Sequence, residues 1–253
     1  MLRRLADHVL KSRRCVVLTG AGFSAESGVP TFRGKEGLWG KFRPEELATM
    51  DAFMANPEIV WEWYNWRRDL MGEVKPNAGH YALAELENIL DDFTLITQNV
   101  DGLHRVAGSK DVLELHGNIY HNKCLDCNSP SVEGLDIDPE NIPLCEKCGG
   151  KLRPDVVWFG EMLNPSVIDR AFQLSEGADL FLSIGTSAVI HPAASLPIAA
   201  KKAAALLVEI NPEETPVTSF ADLRFSEKSG ALLGELIELV RERKAAGHSE
   251  PEA

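Results

Sequence analysis

The chain has 253 residues, 44% of them hydrophobic, and a formal net charge of −12. That length and composition describe a globular protein with a substantial core and room for one large or two modest domains. The acidic balance argues against direct nucleic-acid binding, no apolar run reaches membrane-spanning length, and the start Met1-Leu2-Arg3-Arg4 lacks a signal-peptide core. The expected setting is the cytoplasm and the expected state a monomer.

Leu2, Leu5, Val9 and Leu10 space an amphipathic helix over 2–11. The apolar run 15–19 reads as a buried parallel strand, with Cys15 a small core residue inside it. Gly20-Ala21-Gly22-Phe23-Ser24-Ala25 follows directly. Glycines at 20 and 22 permit a tight turn and close approach of a phosphate. Ala25 stands where a third small residue would let a helix pack on the strand. The pattern predicts a pyrophosphate cradle at a helix start, although a strand-to-helix turn that binds nothing also fits it. Ser24, Phe32 and Arg33 add a hydroxyl, a ring and a cation within reach of a dinucleotide. A dehydrogenase would place an acidic residue at the end of a second strand about 20 residues on. Residues 33–75 instead read as helical and Trp-rich, with Glu45 and Glu46 among them, which disfavours simple hydride transfer.

Helices are predicted over 57–71 and 77–89, the second capped by Asn77. In the first, Tyr64 and Arg67 stand at i, i+3 and share a face. A hydroxyl beside a guanidinium suits a carboxylate; a solvated Arg beside a core Tyr would look the same. Arg68 is the competing cation, about 100° away around an ideal helix. Runs 93–97 and 112–116 read as strands. Polar residues follow each: Thr97-Gln98-Asn99-Val100-Asp101-Gly102-Leu103-His104, and His116-Gly117. Ligands bind at the carboxyl ends of parallel strands, so amide, carboxylate and imidazole are expected to converge on one pocket.

Four cysteines form Cys124-x2-Cys127-x17-Cys145-x2-Cys148. Two such hooks match a tetrahedral thiolate zinc site; with every position a Cys no coordination site stays open, so one structural zinc is expected. A pair of disulfides is the alternative, disfavoured in a reducing compartment. Further strands are predicted at 155–158, 180–184, 206–210 and 223–225, and helices at 164–175, 191–202 and 230–243. Val157-Trp158-Phe159-Gly160-Glu161 and Val189-Ile190-His191 offer two extended edges between which a peptide could add as a strand. Core packing would account for one of Trp158 and Phe159, and His191 reads as a loop residue. Asn211, closing the run 206–210, is a candidate ribose partner. The tail 244–253 is small and polar and reads as disordered. The alternation predicts an α/β fold, a Rossmann-like doubly wound parallel sheet from 1–33, 76–117 and 155–243, interrupted by insertions at 34–75 and 118–154.

Taken together, Gly20-Ala21-Gly22-x-Ser24, Pro30-Thr31-Phe32-Arg33, Thr97-Gln98-Asn99-x-Asp101, His116-Gly117, the paired cysteines, Gly185-Thr186-Ser187 and Glu209-Ile210-Asn211 run in one order from about 14 to 234. In that order they resemble the sirtuin family of NAD-dependent protein-lysine deacylases. One departure is Thr31, where many deacetylases carry Asp; it resembles the branch that includes desuccinylases and many bacterial members.

The resemblance implies that the two insertions form one small domain, a helical module plus a zinc-ribbon module, with NAD and substrate in the cleft beside it. It implies that NAD is consumed, with His116 the general base for the ribose hydroxyls. Asn99 and Asp101 would hold the nicotinamide amide and ribose, and Gln98 the ribose. Gly20, Ala21, Gly22, Ser24, Phe32 and Arg33 would take the pyrophosphate side, Gly185, Thr186 and Ser187 a second phosphate and ribose loop, and Asn211 the adenine ribose. Ala48 resembles the small residue that widens the desuccinylase acyl pocket, and Tyr64 with Arg67 resembles its carboxylate clamp. The expected activity is removal of succinyl, malonyl or glutaryl groups, and more weakly acetyl, from protein lysine, giving nicotinamide and 2′-O-acyl-ADP-ribose. A mainly deacetylating enzyme, or mono-ADP-ribosyl transfer in the same cleft, are the alternatives.

Overall fold

The computed structural model describes residues 1–31, 43–131 and 138–247. Its helices are α1 (Leu2–Lys11), α2 (Ala21–Ala25), α3 (Pro44–Leu47), α4 (Met50–Ala55), α5 (Pro57–Gly72), α6 (Ala78–Ile89), α7 (Leu103–Val106), α8 (Pro165–Glu176), α9 (Leu196–Lys202) and α10 (Ser229–Gly247). Its strands are β1 (Cys15–Thr19), β2 (Phe93–Thr97), β3 (Val112–Glu114), β4 (Gly117–Cys124), β5 (Pro130–Ser131), β6 (Leu152–Val156), β7 (Leu180–Ile184), β8 (Leu206–Ile210) and β9 (Leu223–Phe225).

The central strands are mostly apolar, with Thr94 and Ser183 as interior exceptions, as suits strands covered on both faces, and every residue of β1, β2 and β7 is buried. The main sheet has six strands in the order β3-β2-β1-β7-β8-β9, all parallel. One face packs Val17, Leu95 and Leu182 under Leu5 of α1, Leu83 of α6 and Leu236 of α10. The other packs Val16, Leu18 and Phe181 under Ala171 of α8 and Leu196 of α9. From β1 the chain winds outward one way through β2 and β3, and from β7 the other way through β8 and β9. The order therefore reverses between β1 and β7, where strand ends part and leave a crevice at their carboxyl side. This is the doubly wound sheet expected from the alternation.

A second sheet has three strands in the order β5-β4-β6, antiparallel. Here the expectation needs correcting. The strand anticipated at 155–158 lies at Leu152–Val156 and pairs with β4, not with the parallel sheet. Arg153, Pro154 and Asp155 interrupt the apolar pattern that marks a doubly covered strand, which displaced the prediction towards the apolar residues after them. The α5 helix packs on this sheet, with Trp61 and Tyr64 in one core with Ile119, Val156 and Trp158. Arg68 of α5 donates from Nε to the Ile119 carbonyl at 2.7 Å and from Nη2 to Asn122 Oδ1 at 2.6 Å.

Helix starts follow their capping residues. Asn56 accepts from Ile59 N, Asn77 from Gly79 N and His80 N, and Asn164 from Ser166 N, each bond worth about 1 kcal/mol. Other boundaries shift: β3 ends at Glu114, the helix expected over 191–202 opens as a tight turn at Ala193–Ser195, and α10 runs to Gly247, so 244–247 of the expected tail are helical. Among the described residues no helix is long and apolar enough to cross a membrane.

Candidate active site

The loops after β1, β2, β7 and β8, with the turn from β3 to β4, line a cleft of about 1270 Å³. They contribute Gly20, Ala21 and Gly22; Gln98 and Asn99; Gly185, Thr186 and Ser187; Asn211; and His116. The first and third of these loops interlock. Gly22 N donates to the Gly185 carbonyl at 2.8 Å. A Cβ on Gly20 would stand 2.8 Å from Thr186 Cα, and one on Gly185, whose φ is +58°, only 2.4 Å from Phe23 N. The glycines are thus required by backbone meeting backbone, whatever a phosphate adds. Ala25, expected to pack against the strand, is exposed on the cleft wall; Phe23 fills the core instead.

Consecutive hydrogen bonds tie the strand ends together. Asn211 Nδ2 donates to the Thr186 carbonyl at 2.8 Å, and Gln98 Nε2 to Thr186 Oγ1 at 2.9 Å. His116 Nδ1 lies 2.9 Å from the Gln98 carbonyl. A carbonyl only accepts, so Nδ1 carries the proton and Nε2 keeps its lone pair. Burial pulls the His116 pKa below the usual imidazole range, and the Gln98 bond opposes it only in part. The ring is a neutral base at neutral pH.

Asn99 spends both Nδ2 protons, on the Gly20 carbonyl and on Ser24 Oγ, each at 3.0 Å. What it offers the cleft is the acceptor Oδ1. Ser24 and Asp101, expected at the cofactor, lie buried behind Asn99 and outside the cleft lining. Asp101 accepts from Leu103 N at 2.9 Å. Burial pushes its carboxyl up, against the Leu103 amide, the Ser24 hydroxyl and Arg67. Phe32 and Arg33 lie outside the described residues.

His104, expected in the same pocket, is in the core. Its Nε2 pairs with Thr19 Oγ1 at 2.9 Å, and its ring stacks on Phe23 with centroids 5.1 Å apart. His80, which sequence reasoning passed over, sits 4.7 Å from it, centroid to centroid. An Asn77 cap with a side chain three residues on that reaches back was the available signal. Burial lowers the His80 pKa to about 4, and that of His104 well below 6.5. The unfolded chain takes up these protons from about pH 6.5 downward while the folded chain does not, so stability falls as pH drops through that window. His80 alone should make the protein about 2 kcal/mol less stable at pH 5 than at pH 7. Urea midpoints at the two pH values measure this, and His80→Gln, which keeps an N3 acceptor, should shrink the difference. An equal difference in the variant would contradict it.

The opposite wall comes from the helical module and the segment after β6. Ala48, Trp63, Tyr64 and Arg67 line the cleft with Val157 to Glu161 and Val189. Arg67 is 3% exposed, its guanidinium 4.9 Å from the Trp63 ring centre. Burial pulls its pKa below the usual range, with Tyr64 and Asp101 opposing. Tyr64 Oη accepts from Trp158 Nε1 at 2.9 Å. Arg68 is committed to β4 and absent from the lining. Trp158 is buried and Phe159 exposed, so the core reading holds for the first.

The peptide edge is less open than its sequence suggests. The amides of Val157, Trp158, Phe159 and Glu161 already donate, to the His116 carbonyl, Glu161 Oε2, the Ala48 carbonyl and the Trp158 carbonyl. The Glu161 carboxylate, expected at the substrate, is engaged by Arg153 and by Trp158 N. His191 is exposed, with Nδ1 3.0 Å from Ser195 Oγ. Sequence reasoning missed Met162, Leu163, Ile168, Glu26, Lys228 and Ser229 in the cleft lining.

Away from the cleft, Cys124, Cys127, Cys145 and Cys148 place their sulfurs within 4.8 Å of one another. The Cys124–Cys148 and Cys127–Cys145 Sγ pairs are 3.4 and 3.8 Å apart. A disulfide would be about 2.05 Å. Tetrahedral Zn–S bonds of about 2.3 Å require sulfurs about 3.8 Å apart, so the four thiols fit zinc.

The Sir2 family model matches residues 20–192. A protein of Aquifex aeolicus (strain VF5) named NAD-dependent protein deacylase is 53% identical over 234 residues, covering 92% of this chain and 98% of its own length. The NAD-dependent protein deacylase 1 of Archaeoglobus fulgidus is 50% identical over 242 residues, covering 95% of this chain and 98% of its own length. Among solved structures, a Sir2 homolog–NAD complex is 48% identical with a TM-score of 0.87, covering 95% of this chain and 94% of that one. A Sir2 variant with a deacetylated p53 peptide and 3′-O-acetyl ADP ribose is 35% identical with a TM-score of 0.78, covering 96% of this chain and 98% of that one.

Proposed function

The chain belongs to the Sir2 family and is an NAD-dependent protein deacylase, and we propose that the acyl groups it prefers are the dicarboxylic ones, succinyl, malonyl or glutaryl, with acetyl the weaker substrate. NAD supplies a glycosidic bond whose cleavage releases nicotinamide, and a ribose that receives the acyl group. In this reading His116 Nε2 takes the proton of a ribose hydroxyl. Asn99 Oδ1 accepts from the carboxamide or ribose, and Ser24 and Asp101 orient Asn99 from behind. Backbone of the loops at Gly20–Gly22 and Gly185–Ser187 flanks the pyrophosphate, and Asn211 meets the far ribose. The four thiolates hold one structural zinc. The two insertions act as one small domain, and the working compartment is the cytoplasm. A substrate strand beside Val157–Glu161 relies on the Gly160 amide and on carbonyls, which read little sequence.

The observation that carries the acyl reading is Arg67. A guanidinium held in a dry wall, 5.9 Å from the Tyr64 ring centre and in the same lining as small Ala48, is suited to a distal carboxylate. A charge-assisted bond there is worth roughly 1.5–3 kcal/mol, or about 10- to 150-fold. Arg67→Met should lower kcat/KM for succinyl-lysine by that factor, mainly through KM, and leave acetyl-lysine little changed. Matched acetyl- and succinyl-lysine peptides with NAD measure both. Equal loss on both would assign Arg67 to the fold or the cofactor and leave a deacetylase.

A further inference from the structure

Arg153 lies on β6, away from the cleft lining, yet it is buried and fully engaged. Its guanidinium makes a bidentate pair with Glu161, through Nη1 to Oε1 and through Nη2 to Oε2 at 3.1 Å. Nη2 also donates to the Val156 carbonyl at 2.7 Å, and Nε to the Pro154 carbonyl at 3.3 Å. The same plane lies 3.4 Å from the centre of the Trp158 ring. Glu161 in turn accepts from Trp158 N at 2.8 Å. Trp158 is therefore gripped twice, at its amide and across its indole face. Its Nε1 then donates to Tyr64 Oη. A phenol that accepts on one side directs its own O–H elsewhere, and Tyr64 is part of the cleft lining.

A buried ion pair adds little net stability compared with apolar residues of the same size. What it adds is geometry, because a planar fork fixes a carboxylate and a ring together where an ammonium fixes neither. We propose that Arg153 is a positioning residue for acyl recognition: through Glu161 it holds the 157–161 segment, and through Trp158 it sets the Tyr64 hydroxyl beside Arg67. The inference rests on the acyl reading above. Glu161 thereby belongs to the brace and not to the peptide surface.

The test is Arg153→Lys, read two ways. Hydrogen exchange of the amides across 157–161 should quicken, since Trp158 N loses a fixed acceptor. With NAD saturating, KM for the succinyl peptide should rise about 10- to 100-fold, as expected for a wall displaced by an ångström or less, while ADP-ribose affinity stays within about twofold. Trp158→Phe keeps a ring under the guanidinium but removes the donor to Tyr64. In that background the further loss on adding Arg153→Lys should shrink well below its single-variant value, because coupled residues are non-additive. Unchanged exchange, fully additive losses, or lost ADP-ribose affinity with unchanged peptide KM would each overturn the proposal. A wild-type enzyme that turns over acetyl- but not succinyl-lysine overturns the acyl reading alone. Arg153→Lys must then still raise the KM of the acetyl peptide, because the brace holds the peptide segment whichever acyl group enters.

Discussion

Replacing His116 with alanine is expected to lower deacylation about 100- to 10,000-fold, the range a positioned general base supplies. The ring is oriented by one bond, Nδ1 to the Gln98 carbonyl, so its removal costs about 1 kcal/mol of folding and a Tm shift of about 2–4 °C for a chain of this size. ADP-ribose binding and metal content should persist. The pH profile adds a signed check. Burial lowers the His116 pKa, so the acid limb of kcat/KM should fall only below the usual imidazole range, near 6.5. A residual rate within a few-fold of wild type would remove His116 as the base.

The second large effect is expected at the zinc hooks. The core around them consists of Cys124, Cys145 and Leu152 with Cys127 against it, so the ligands are themselves most of what is packed there. Among the described residues, what remains there without metal is Leu152 and the backbone pairing of β4 with β5 and β6. Structural zinc sites bind with about 10–16 kcal/mol, and this energy is folding energy. Losing a quarter of it through one missing thiolate, about 3 kcal/mol, lowers Tm by about 6–12 °C. Cys124→Ser should show this together with reduced metal per chain. Folded, active protein that metal analysis finds free of zinc would end the assignment.

The parallel sheet was legible because its strands are predominantly apolar runs between helices with ordinary caps. The small sheet was not. Asn118, His121, Asn122 and Lys123 make β4 look like a loop, since a strand with one poorly covered face carries polar residues that no single period separates from turns. The site splits along a similar line. Gln98, Asn99, His116 and Asn211 were readable because they follow strands, and strand ends are where a doubly wound sheet opens. Ser24, Asp101 and His104 share those loops but turn inward, towards Asn99, Leu103 and Thr19. Direction of a side chain within a turn depends on what lies behind it, here α6 with His80 and α7. Arg153 carried no signal at all, because its partners Glu161 and Trp158 become its neighbours only when the chain doubles back after β6.

The partner that fixes the tautomer of His116 is main chain, not a carboxylate side chain. Many catalytic imidazoles depend on an acidic neighbour that one base change in the gene can delete. Here any amino acid at 98 presents the same carbonyl, so the proton stays on Nδ1 through substitutions that abolish what Gln98 does for Thr186. In a saturation library, position 98 should therefore separate two phenotypes that usually fall together: variants that hold NAD poorly, yet whose base titrates as in the parent.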